Sequence, residues 1–266
     1  IIEFADLDPI VDLTGGALPV NATNSANAIS YSAGPTSGTG AVGGFTTGLV
    51  SVDGFEAIEF ANKEELFING LGGDDTINLN HPGTPEGLVY IEFDGGNPTA
   101  SDEVIYNGTD GSDLIGVTPT SPSSALIAED DLTRPEVFVV NAESLTVNGG
   151  EGADDLEVFT SPSDNSIEYT PGSTVNSGHI QVDDLIPLDF LNLGTVGAEG
   201  GLINVIFTDA GGDDLLIYSG TDGVDTLIVS GNEITHVSPI GEHEHVFGGE
   251  GSIESLMLKG FGGDDT

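Results

Sequence analysis

A glycine-rich turn ending in paired aspartates is written four times in this chain, and no other feature limits its fold so strongly. The copies are "NGLGGDDT" (69–76), "NGGEGADDL" (148–156), "TDAGGDDLL" (208–216) and "KGFGGDDT" (259–266). Neighbouring carboxylates repel each other, and burial makes the repulsion worse. Each turn is therefore either solvated or neutralised by something positive. Between the turns lie short segments rich in Val, Ile, Leu, Phe and Tyr, and no amphipathic helical period runs longer than about ten residues. The chain reads as all-β.

The short segments recur in a fixed order. A lead-in strand precedes each complete Asp turn: "EELFINGLGGDD" (64–75), "ESLTVNGGEGADD" (143–155) and "ESLMLKGFGGDD" (254–265). Strands with an equivalent tyrosine place Tyr31, Tyr106 and Tyr218 at steps of 75 and 112, and the lead-in leucines Leu66, Leu145 and Leu256 stand at steps of 79 and 111. This predicts one repeat array with units near 1–65, 66–144 and 145–255, a new unit beginning at 256–266, and an insertion at roughly 160–200. Strands are expected at 88–93, 103–107, 137–141, 202–207 and 225–230. Repeats of this kind bury their apolar faces only by stacking. A parallel β-helix (β-solenoid) of about three irregular units accounts for the pattern, with tandem small β-sandwiches as the alternative. In the middle unit Asp75, Asp94, Asp113 and Asp131 are spaced 19, 19 and 18 residues apart, a plausible length for one coil.

Charge narrows the partners. The chain holds 45 Asp and Glu against 3 Lys and Arg, for a net charge of −42. Nucleic acid and anionic membranes bind through Lys and Arg, so neither is an expected partner. Bound divalent cations, adaptation to high salt and solubility by self-repulsion all remain compatible. There is no cysteine to form disulfides, so a secreted fold of this kind needs another staple. No stretch of about 20 apolar residues is present to span a membrane.

The segment "GGEGADDL" (149–156) resembles the haemolysin-type, or RTX, calcium-binding repeat G-G-x-G-x-D-x-U at every defined position. "GTDGSDLI" (108–115) and "GTDGVDTL" (220–227) match it with Thr for the second Gly, and "GLGGDDTI" (70–77) and "DAGGDDLL" (209–216) keep the later Gly and Asp. The tandem nine-residue spacing of that family is missing: Asp214 and Asp225 are eleven residues apart. The resemblance implies a secreted or cell-surface protein with Ca²⁺ held between turns. On this chain the implied ligands are Asp74, Asp75, Asp94, Asp110, Asp113, Asp154, Asp155, Asp209, Asp213, Asp214, Asp222, Asp225, Asp264 and Asp265. Calcium takes six to eight oxygens, more than one turn supplies, so adjacent coils would share each ion. The plain alternative is that Asp-Gly sequences form good turns without an ion.

Other constellations carry less. His243 and His245 share one face of a strand and read as exposed; His81, His179 and His236 stand alone. Lys63 and Lys259 read as exposed charges. No nucleophile elbow, phosphate loop or dinucleotide fingerprint is present, and no catalytic residue is expected. The leading expectation is a calcium-stabilised structural protein of the extracellular space or cell surface. The last motif lacks a body and the first body lacks a lead-in, so the chain would be either a head-to-tail filament or fibre subunit or an excerpt of a longer tandem array. The alternative is an adhesin segment that binds glycans or other surface proteins. An aromatic cluster on an outward face would mark it, whereas the 12 Phe and 5 Tyr mostly take alternating strand positions that favour a core.

Overall fold

The structure, a computed structural model, describes residues 10–34, 44–80, 84–96, 101–129, 134–174, 176–194, 203–208, 210–231, 233–237, 243–248, 253–263 and 266. Among them there are strands and turns and no α-helix. The strands in chain order are β1 (Ile10–Asp12), β2 (Gly16–Asn21), β3 (Ala28–Ala33), β4 (Gly48–Val52), β5 (Ile58–Phe60), β6 (Lys63–Asn69), β7 (Thr76–Asn80), β8 (Tyr90–Asp94) and β9 (Glu103–Asn107). Next come β10 (Leu114–Ser121), β11 (Ser124–Glu129), β12 (Glu136–Val140), β13 (Ser144–Asn148), β14 (Asp155–Phe159), β15 (Ser166–Pro171), β16 (Gly178–Val182) and β17 (Leu188–Leu191). The last six are β18 (Ile203–Thr208), β19 (Leu215–Ser219), β20 (Thr226–Ser230), β21 (Glu233–Val237), β22 (His243–Gly248) and β23 (Ser255–Lys259). All five strands expected from the sequence are present, each displaced by two residues or fewer at its start.

Alternation explains why these segments pair as strands. In "TINLN" only Ile77 and Leu79 are buried, in "EVIYN" only Val104 and Tyr106, and in "DLEVF" only Leu156 and Val158. A period of two puts these side chains on one face, and β-branched and aromatic residues suit a pleated, half-buried surface.

The chain forms two compact units, residues 1–107 with 131–144, and 108–130 with 145–266. In the first unit one sheet runs β1-β5-β4-β3-β7-β9 and a second runs β2-β6-β8-β12. Parallel pairing stacks like residues: Ile29 lies beside Ile77 and Ile77 beside Val104, while Leu66 lies beside Ile91 and Ile91 beside Val137. All six are buried, at 1% exposure or less. In the second unit one sheet runs β13-β17-β16-β15-β19-β23 and another β11-β10-β14-β18-β22-β21-β20. Its columns include Ile115–Leu156–Val205 and Val117–Val158–Phe207.

The sheets are not wholly parallel. Antiparallel meanders interrupt them at β3–β4–β5, β15–β16–β17 and β20–β21–β22. Residues 160–200, expected as an insertion, hold the second meander, and its closing turn repeats that of the first. Asp53 and Asp183 take left-handed φ values of 48° and 46°, a conformation that Asp tolerates because its short polar side chain bonds locally. Asp53 accepts the Ala28 N–H and the Asn27 amide; Asp183 accepts the Ser166 N–H and the Asn165 amide.

Candidate functional site

The glycine–aspartate turns come together as a ladder of carboxylates, of which Asp75, Asp102, Asp154 and Asp214 are buried, Glu143 is half-buried and Glu254 is exposed. In the first unit Asp75 Oδ1 accepts the Asn27 N–H at 2.8 Å, Asp102 Oδ1 accepts the Asp75 N–H at 2.8 Å, and Glu143 Oε2 accepts the Asp102 N–H at 2.7 Å. In the second, Asp154 Oδ1 takes the Asp113 N–H, Asp214 Oδ1 takes the Asn165 N–H, and Glu254 Oε2 takes the Asp214 N–H, all at 2.7–2.9 Å. The same peptides are held from the other side. The carbonyls of Asn27, Asp75, Asp102, Asp113, Asn165 and Asp214 each accept the N–H of the residue following the acid that binds them. Each joint therefore has two hydrogen bonds, one of them charge-assisted when the carboxylate is ionised.

The ladder explains the glycines. A Cβ on Gly70 would lie 2.5 Å from Asp75 Oδ2, and one on Gly95 2.6 Å from Asp102 Oδ2. For Gly108, Gly149 and Gly220 the distances to Asp113, Asp154 and Asp225 Oδ2 are 2.9, 2.8 and 2.8 Å. None of these five has a left-handed φ. They are glycines because a carboxylate oxygen, joined at Gly95, Gly108 and Gly149 by a still closer backbone carbonyl oxygen, occupies the space, not because the backbone bends unusually.

Two kinds of turn result. In "GTDGSD" and "GTDGVD" the Thr109 and Thr221 hydroxyls accept the Gly111 and Gly223 N–H, and both threonines donate N–H and O–H to Asp113 and Asp225. Thr23 with Asn27 repeats the arrangement. Where the residue after the glycine is Leu71, Gly96 or Gly150, its φ is left-handed, at 74°, 93° and 95°. In those turns Asp75, Asp102 and Asp154 keep one oxygen, Oδ2, buried and without a donor among the described residues. Beside each lies a carbonyl oxygen that approaches the same glycine: Gly95 O, Asn141 O and Asn192 O.

Electrostatics follows the geometry. Burial, with the charges of Asp75, Glu143 and Asp74, pushes the Asp102 carboxyl up to about 6 although the Asp75 N–H pulls the other way. Burial and the charges of Asp113, Asp155 and Glu129 push Asp154 to about 6, against the Asp113 N–H. Asp75 is raised for the same reason, burial first, with Asp53 and Asp74 adding repulsion. Burial would also raise Asp225, but hydrogen bonds from His236 and Thr221 more than offset it and hold that group low.

The residues implied as calcium ligands separate into classes. Asp75, Asp113, Asp154 and Asp214 are buried in the joints, and Asp225 is buried against Thr221 and His236; Asp74, Asp110, Asp213 and Asp222 are exposed. Asp155 is the half-buried first residue of β14, and Asp94 at the end of β8 accepts the Asn141 amide and the Gly96 N–H. Asp209, Asp264 and Asp265 lie outside the described residues, as does Asp131. Among the described residues no group of three or more His, Asp or Glu side chains is placed to hold a metal ion. Calcium rests on the resemblance alone.

Sequence reasoning passed over several residues. Asn27, Asn165, Asp102, Glu143 and Glu254 all serve the ladder. His236, read as carrying no signal, is buried with Nδ1 2.9 Å from the Tyr218 hydroxyl and Nε2 2.8 Å from Asp225 Oδ1. Lys63 is not an exposed charge: it is buried and pairs with Asp12 at 2.8 Å, its Nζ also reaching the Thr14 hydroxyl. Its aliphatic stem suits the interior only because a carboxylate and a hydroxyl meet its head. Lys259 sits 3.6 Å from Glu168 at a more exposed position.

Comparison with protein-family models, with curated proteins and with solved structures finds no match to this chain.

Proposed function

We propose that this chain is a structural repeat segment, a β-solenoid whose successive turns are stitched together by mostly buried carboxylates, and that its work is to hold an acidic scaffold rigid. One observation carries the reading: the same side-chain-to-backbone joint recurs at six places, always between residues far apart in sequence. A cysteine-free chain gains from each joint what a covalent staple supplies elsewhere, because removing the acceptor leaves a buried N–H unsatisfied. That costs about 1–3 kcal/mol per joint. The reading assigns the chain no catalysis.

The test is thermal unfolding of Asp75→Ala and Asp214→Ala beside the exposed controls Asp110→Ala and Asp222→Ala, each in millimolar calcium and in excess chelator. The buried pair should lose about 1–3 kcal/mol in both buffers, and the controls under 0.5 kcal/mol. Equal small effects at all four positions would refute the ladder. A loss confined to the calcium buffer would give the joints to a bound cation.

A further inference from the structure

The second sheet of the first unit presents a patterned outward face. In its register Tyr90 lies between Glu65 and Glu136, and one step along the strands Glu92 lies between Phe67 and Phe138. Three rings and three carboxylates thus alternate both along and across β6, β8 and β12. The residues between them, including Leu66, Ile91 and Val137, are fully buried, so the six point away from the core. The rings form one group: Phe67 and Tyr90 lie 5.9 Å apart and Tyr90 and Phe138 4.9 Å apart, tilted at 59° and 36°. The Tyr90 hydroxyl donates to Glu92 at 2.5 Å.

This group stands apart from the chain's other aromatics. Tyr31, Tyr106, Tyr169, Tyr218, Phe60, Phe93, Phe190 and Phe207 are all buried, at 2% exposure or less. Phe55 and Phe261 are exposed, and Phe45 and Phe159 are half-buried. Only here do several rings share an outward face among the described residues, and all three stay partly accessible. The three glutamates make no ion pair among the described residues. Their field is felt by the phenol: burial, Glu92 and Glu65 raise its pKa. A strongly acidic chain thus sets carboxylates with no cationic partner among the described residues around this outward aromatic group. That arrangement is complementary to cations that also stack. Guanidinium fits both demands, because it packs on aromatic faces and bonds carboxylates with a planar fork, whereas ammonium is a compact, strongly hydrated charge.

We propose that this face is an interaction surface for an arginine-rich segment of another protein, guanidinium groups seating on Phe67, Tyr90 and Phe138 and pairing with Glu65, Glu92 and Glu136. Glu65 and Glu136 are two strand spacings apart, about 9–10 Å, so two arginines of one segment reach them on either side of Tyr90. The inference is independent of the scaffold reading.

The test uses a fluorescent octa-arginine peptide in about 150 mM salt, where screening limits attraction to the net charge alone. The outward variants Phe67→Ser and Phe138→Ser leave the charge unchanged, and circular dichroism verifies their folding. Asp110→Asn and Asp222→Asn serve as charge controls away from this sheet. Each ring variant should weaken octa-arginine binding about tenfold, the controls less than twofold, and octa-lysine should bind more weakly than octa-arginine. Undiminished binding to the ring variants would overturn the proposal, leaving net charge as the whole attraction. So would no binding at all. Ring-dependent binding of a neutral glucose oligosaccharide in place of octa-arginine would overturn it in favour of a glycan surface.

Discussion

A buried carboxylate with one oxygen bonded by an N–H, the other without a donor among the described residues, and further carboxylates nearby favours its acid form, because burial and like charge both penalise ionisation. Asp102 and Asp154 are in that position, and both stand near 6 rather than at the ordinary 3.8. Their folded-state values lie above their unfolded ones, so the stability they contribute is full below pH 3.8 and is lost as pH rises through about 6. At about 1.4 kcal/mol per pH unit, each amounts to roughly 2–3 kcal/mol. Asp12, Asp53 and Asp225 run the other way: held low, they stabilise above the ordinary carboxylate range and lose that as pH falls through their lowered values. The melting temperature is therefore expected to rise from pH 7.5 to about pH 5 and to fall again at stronger acidity. In Asp102→Asn and Asp154→Asn a neutral amide replaces the titrating acid, so both variants should match or exceed the parent at pH 7.5 and gain little on acidification. A parent whose stability is flat between pH 7.5 and 5 would show that the second oxygens carry no proton in that range.

At the scale of turn and strand, the glycine argument separates positions that look alike in sequence. Gly108 and Gly111 sit three residues apart in "GTDGSD", neither with a left-handed φ. A methyl on Gly108 meets Gly149 O at 2.5 Å and Asp113 Oδ2 at 2.9 Å, whereas the nearest atom to one on Gly111 is Thr109 Oγ1 at 3.5 Å. Gly108→Ala should cost about 1–3 kcal/mol by overpacking. Gly111→Ala should be neutral, or stabilise by up to about 1 kcal/mol through the unfolded chain. Denaturant melts of the two variants decide it, and equal effects would remove crowding by these two oxygens as the reason for the glycine. The strands were legible because their period is two, and the Asp turns because glycine and aspartate mark them. Which aspartate goes inside was also written there: it stands two residues before the first inward apolar residue, as in Asp75–Thr76–Ile77, Asp154–Asp155–Leu156 and Asp214–Leu215–Leu216. The buried member of a pair is thus the second at 74–75 and the first at 154–155. Reading the pair as a unit concealed this, and it hid Asn27 and Asn165, which fill the same place without a charge. The 19-residue aspartate series failed for the same reason, since Asp94 ends a strand while Asp75 and Asp113 open one. The meander partners and the His236 network depend on strands brought together by pairing, which no local pattern encodes.

For the whole chain the dominant quantity is its net charge of −42, legible from composition alone. Composition does not say where the few positive charges go, and Lys63 spends one of three in the interior against Asp12. The remaining acids repel across distances that salt screens, with a Debye length near 30 Å at 0.01 M and about 3 Å at 1 M. Self-repulsion opposes the compact state, so screening should stabilise it. The expected result is a melting temperature that climbs steadily between 10 mM and 1 M NaCl, by a few kcal/mol or on the order of 5–10 °C. The informative comparison is CaCl₂ against NaCl at equal ionic strength. If screening is the whole effect, the two curves coincide, and the ladder holds the turns without an ion. If calcium adds a further increment that sets in at low concentration and then grows with the logarithm of the calcium concentration, it is binding the folded chain specifically, since ligand linkage rises logarithmically above the dissociation constant while screening follows ionic strength. Repeating that curve on Asp75→Asn and Asp154→Asn then locates the increment. Loss in either variant puts the ion at a joint whose second oxygen has no donor, and persistence in both puts it among the exposed aspartates Asp74, Asp110, Asp213 and Asp222.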